Sequence, residues 1–131
     1  MCWVSRKLPV SRIATDDIKV IKVLRVSNDG RLFSPCFDKT VWEFGKAMHS
    51  DLESARYSCF YCGYIIDVGL HSCNEIYLFG RYWANKRGDN LFEYYDGERK
   101  FNAVIPKGAE YYVNDAGEYV SDTLIIKNCI G

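Results

Sequence analysis

The run DDIKVIKVLRV at residues 16–26 constrains the fold most. Ile18, Val20, Ile21, Val23, Leu24 and Val26 are apolar and mostly β-branched, and the run begins in alternation. β-Branched side chains lose little freedom in an extended chain and pack well on a pleated surface. The run therefore predicts a strand. It ends at Asn28-Asp29-Gly30, residue types that accept the positive φ of a tight hairpin turn. A sheet is the expected scaffold.

The rest of the chain extends that expectation. A second strand is predicted over residues 31–34, stopped by Pro35, and a short third strand over 40–45. Residues 46–58 are polar and ambiguous. A fourth strand is predicted over 61–69. Asp96-Gly97, Pro106-Lys107-Gly108 and Asn114-Asp115-Ala116-Gly117 punctuate the remainder. Strands over 109–113, 118–120 and 124–126 lie among them.

One segment reads differently. Ser72-Cys73-Asn74-Glu75 matches the S-x-x-E capping box, and Ile76, Phe79 and Trp83 follow at helical spacing. Lys86, Arg87 and Gly88 suit a helix end. A helix over residues 73–87 is predicted, although Gly80 costs it about 1 kcal/mol relative to alanine. The expected fold class is α+β: a β-dominated, mostly antiparallel single domain over residues 1–131, with one main helix.

Composition narrows the function. Lys plus Arg equals Asp plus Glu, at 17 each, so no overall basic field draws the chain to DNA. The N-terminus carries no long apolar stretch, which argues against a signal peptide and a membrane anchor. Six cysteines without a secretion signal fit reduced thiols and a cytoplasmic location. Phosphate-loop, dinucleotide-glycine and G-x-S-x-G patterns are absent.

The candidate site follows from the predicted helix. With Ser72 as its N-cap, His71 would stand beside free amides and the positive dipole end, which attract phosphate and keep the imidazole neutral. Arg81, Lys107, Tyr111 and Tyr112 would complete a basic, aromatic-lined pocket. The ligand-binding set is thus His71, Ser72, Arg81, Lys107, Tyr111 and Tyr112. His71 could also pack against the sheet, and the tyrosines could be core. Cys59, Cys62, His71 and Cys73 spell C-x2-C-x8-H-x-C, whose donors suit tetrahedral zinc. The intervening strand would separate its ends by roughly 20 Å unless the chain turns back, so no metal and no cofactor is assigned. Cys2 would become an amino-terminal thiol on loss of Met1, but no second catalytic motif accompanies it, and no catalytic residue is assigned.

The pieces MC, IATDDIKVIKVL, Ser34-Pro35, GLHS at residues 69–72 and AVIPKGAEYYVNDAGEYVSDTLII at 103–126 resemble a group of small uncharacterised proteins of gut Bacteroidota-type bacteria and their phages. After GLHS this chain is aromatic where the group is alanine-rich. The chain is also similar, in size and general character, to nucleotide sponges of the Thoeris anti-defence kind. That resemblance implies a non-catalytic binding protein, forming a homo-oligomer, that captures a phosphate-bearing nucleotide-like molecule or occupies a host defence protein. Two alternatives stand beside it: an enzyme of ADP-ribosyl transfer or hydrolysis using His71, and a protein–protein interaction module.

Overall fold

The computed structural model describes residues 3–33, 41–75 and 98–130. The described residues form strands β1 (Trp3–Ser5), β2 (Arg12–Ile13), β3 (Ile18–Val26), β4 (Leu32–Phe33), β5 (Val41–Trp42), β6 (Ala47–His49) and β7 (Arg56–Cys59). They continue with β8 (Gly63–Ile66), β9 (Leu70–Cys73), β10 (Glu98–Ile105), β11 (Glu110–Val113), β12 (Glu118–Ser121) and β13 (Thr123–Cys129). β1, β8 and β7 make a three-stranded antiparallel sheet, and the other strands make a larger one.

β3 organises the larger sheet. Val20 and Leu24 face the main core, whereas Ile21 and Val23 face a smaller cluster with Cys73. Burial on both faces is why its sequence is nearly continuously apolar. β3 pairs along its length with β10 and at Ile21 with Cys73 of β9. β10 pairs with β13, β12 passes into β13 at Asp122, and β12 pairs with β9. These strands pack Leu24, Phe101, Ala103, Ile105, Leu124 and Ile126 into the main core.

The predicted α+β class is corrected: the described residues are all-β. The helix expected over 73–87 does not begin where its capping box lies. Ser72 is in β9, paired with Tyr119, and Cys73 pairs with Glu118. A capping box is a local signal, and Leu70-His71-Ser72-Cys73 serves equally well as an extended segment. Pairing with β12 satisfies its backbone, and the burial of Leu70, Ser72 and Cys73 fixes the outcome. The remainder of that prediction, from residue 76, and the Asp96-Gly97 turn lie outside the described residues.

Other expectations differ in detail. The strand expected over 31–34 is β4, and that over 40–45 is β5. The strand expected over 61–69 splits at Asp67-Val68-Gly69, which carries the chain from the small sheet (β8) to the large one (β9). The ambiguous segment 46–58 contains β6 and the start of β7.

The small sheet is seated through Trp3 and Ile66, which pack on Tyr112 and Val120 of the large sheet. The Trp3 and Tyr112 rings meet edge to face at 6.1 Å and 60°. The indole Nε1–H donates to the Glu118 carbonyl at 3.0 Å, and Asn114 Nδ2 donates to the Val4 carbonyl at 2.7 Å. The small sheet is therefore held by packing and by directional bonds.

Candidate functional site

β7 and β8 form a hairpin whose base is fixed and whose tip is not covered. Near the base, Arg56 Nη2 lies 2.6 Å from Asp67 Oδ2. Tyr57 and Tyr64 are direct cross-strand partners, edge to face at 5.7 Å and 77°. The ladder shifts register between Tyr57 and Cys59, and the turn runs Cys59-Phe60-Tyr61-Cys62. Gly63 then takes φ +75, a conformation side chains resist, and its missing Cβ leaves room for the Ser5 carbonyl.

Two features result. Phe60 and Tyr61 are 81% and 82% exposed, with rings 5.8 Å apart and nearly perpendicular. Beneath them, the Cys62 amide donates to the Cys59 sulfur at 3.3 Å. That bond, with further help from the Cys62 thiol and the Tyr61 amide, holds the Cys59 thiol below its ordinary pKa. Neither cysteine is in a disulfide.

The described residues among those expected to bind a ligand do not converge. Alternation along β9 puts His71 and Ser72 on opposite faces, and the same holds for Tyr111 and Tyr112 on β11. Tyr111 packs with Tyr119 against the main core. Tyr112 is buried against Trp3. Ser72 is buried, with no hydrogen bond to its Oγ. Lys107 is exposed in its turn, where its amide donates to Asp17 Oδ1 at 2.9 Å. Arg81 lies outside the described residues. At the start of the expected cradle, Ser72 and Cys73 are paired with β12, and the Asn74 amide donates to the Gly117 carbonyl at 2.8 Å.

The zinc alternative also disperses. Cys59 and Cys62 sit at the hairpin tip, Cys73 is buried with its Sγ toward the Ile21 carbonyl at 3.7 Å, and His71 Nε2 is 3.0 Å from the Asp67 carbonyl. Among the described residues, no group of three or more His, Cys, Asp or Glu side chains could hold a metal. A hydroxyl–imidazole contact, Thr123 Oγ1 to His49 Nδ1 at 3.3 Å, joins cross-strand neighbours. The Thr123 hydroxyl donates to Asp122 Oδ1 at 3.0 Å, so its proton is directed away from the imidazole.

His71 is held neutral, but by burial rather than by a helix dipole. Desolvation lowers its pKa from 6.5, the nearby Lys22 ammonium lowers it further, and the Asp67 carbonyl opposes both. The unfolded chain therefore binds more protons than the folded one as pH falls through 6.5, and stability declines there. Glu53 acts in the same direction at lower pH. Its Oε1 accepts from the amides of Asp67 and Val68 at 2.5 and 3.1 Å, which holds its pKa below 4.5. Its stabilisation is complete above 4.5 and is lost as pH falls through its lowered folded value. Thermal melts of His71→Gln are expected to remove the decline that begins near 6.5 and to keep the lower one. An unchanged upper decline contradicts this assignment.

Phe60 and Tyr61 are not among the residues the sequence singles out, and Tyr61 falls within the strand expected over 61–69. The available signal was the compact spelling C-F-Y-C-G, in which two aromatics lie between cysteines and a glycine follows. Comparison with protein-family models, curated proteins and solved structures returns no match. No helix among the described residues is long and apolar enough to cross a membrane.

Proposed function

We propose that this chain is a non-catalytic interaction module that docks on a protein surface through the β7–β8 hairpin tip. One observation carries this reading: two adjacent aromatic rings, more than four-fifths exposed, on a hairpin whose base is pinned to a packed core. Contiguous exposed apolar surface on a soluble domain marks interaction sites, and aromatic side chains dominate the buried centres of interfaces. The pinned base lowers the ordering cost of binding, because only the tip side chains must be fixed.

Radical footprinting tests the reading without knowledge of the partner. In cells that make the chain, Phe60 and Tyr61 are expected to be labelled several-fold less than in the purified chain at high dilution. Tyr57, lower on the same hairpin and 62% exposed, supplies the internal reference. Equal labelling of the tip in both settings contradicts the reading.

A further inference from the structure

The hairpin tip carries two free cysteines at C-x2-C spacing. Cys59 and Cys62 are two residues apart across a tight turn, and neither is in a disulfide. Cys62 is exposed and Cys59 partly so. The Cys62 amide is directed at the Cys59 sulfur, 3.3 Å away. Amides aimed at sulfur disperse the charge of a metal-bound thiolate, as hydrogen-bond donors to ligand atoms do in metal sites generally. Gly63, at φ +75, follows the pair directly and takes a backbone conformation that side chains resist. A C-x2-C pair of this kind supplies two corners of a tetrahedral thiolate site, the arrangement that zinc prefers.

The other two corners do not come from the ligands that the sequence suggested. Cys73 is buried in the smaller cluster, and His71 is committed to the Asp67 carbonyl. The same hairpin on a second copy offers an identical pair, and a two-fold axis through the metal joins the halves into a closed set of four thiolates. The chain has no net charge to oppose such pairing. The exposed rings of Phe60 and Tyr61 lie between the cysteines in sequence, so they would be covered as the two tips meet.

We infer that two copies of this chain share one zinc ion, held by Cys59 and Cys62 of each, in a hairpin-to-hairpin dimer. This deepens the docking reading by naming the partner as a second copy, and it rests on that reading. Binding releases the four thiol protons to solvent and leaves the zinc with four thiolate ligands. No oxidant takes part.

The test uses the full chain, reduced with a phosphine, with zinc as the probe in native mass spectrometry and cobalt as the probe in absorption spectroscopy. The expected result is one zinc per two chains, loss of the dimer on chelation and its return on adding zinc. Cobalt should give the intense thiolate-to-metal bands of a four-sulfur tetrahedral site. Cys59→Ser and Cys62→Ser should each abolish metal and dimer together, with circular dichroism unchanged. Cys129→Ser, which alters an exposed thiol on β13, should retain both. Three outcomes overturn the inference: one zinc per single chain, a zinc-free dimer that chelator leaves intact, or no zinc uptake by folded protein. If zinc is absent but the tip is still shielded in cells, the zinc bridge fails and the docking reading survives. If the tip is unshielded in cells, the docking reading fails.

Discussion

Replacing Trp3 with alanine is expected to cost about 3–5 kcal/mol, lowering the melting temperature by roughly 10–20 °C in a chain of this size. Trp3 is fully buried, although it lies close to the N-terminus. Its ring fills the space between the two sheets, against Tyr112, Ile66 and Val120. Truncation opens a cavity there and removes the indole donor from the Glu118 carbonyl. Trp3→Phe keeps much of the packing and loses the bond, so it should cost about 1–2 kcal/mol. Chemical denaturation of the three proteins checks this ordering. A loss below about 1 kcal/mol for the alanine variant would mean that the small sheet is not seated through Trp3.

The second large effect is expected at Gly63. A Cβ there would lie 2.5 Å from the Ser5 carbonyl oxygen and 3.1 Å from the Arg6 Cα, both backbone atoms. Relief requires moving β1 away from β8, which breaks the Ser5–Tyr64 pairing. A β-branched residue at positive φ adds its own strain. Gly63→Val should therefore cost about 3 kcal/mol or more. Gly30→Ala is the control: φ is +84, but nothing lies within 4 Å of the added Cβ. It should lose only about 1 kcal/mol, the conformational part alone. Urea unfolding of both variants separates clash from conformation, and equal losses at the two sites would contradict the geometry. Gly63→Val should also weaken the hairpin-to-hairpin contact, since the tip is oriented through this residue.

Where the sequence was legible, local pattern and tertiary burial agreed. The strand β3 was visible because both its faces are buried, and residue type alone records that. The turn at Asn28-Asp29-Gly30 was visible because Gly30 supplies the positive φ, and its amide donates to the Ser27 carbonyl at 2.9 Å. β11, β12 and β13 were flagged by the Pro-Lys-Gly and Asn-Asp-Ala-Gly turns. The segment Leu70–Cys73 was misread because a capping box is a statement about its own few residues. Its partner strand β12 begins more than forty residues away, and pairing at that distance leaves no mark on the local spelling.

The site was less legible than the fold. By their chemistry, the histidine, serine, cations and tyrosines belong in one pocket. Strand alternation then separated His71 from Ser72 and Tyr111 from Tyr112, because one residue step reverses the face. The same short-range geometry hid the tip. Tyr61 followed by Cys-Gly-Tyr-Ile-Ile looks like the start of an apolar strand, and only the register shift after Tyr57 shows that the chain has already turned. Exposure is a tertiary property, so two aromatics destined for solvent spell the same as two destined for the core.

The docking claim is tested most directly by the size of the particle in which the chain travels. Extracts of cells making the wild-type chain or Phe60→Ser/Tyr61→Ser/Cys62→Ser can be separated by sedimentation under native, reducing conditions. The wild-type chain is expected in a complex larger than its 15.1 kDa monomer, and the triple variant, still folded by circular dichroism, at the monomer position. Co-sedimentation of both chains in the same larger particle would contradict docking through the hairpin tip.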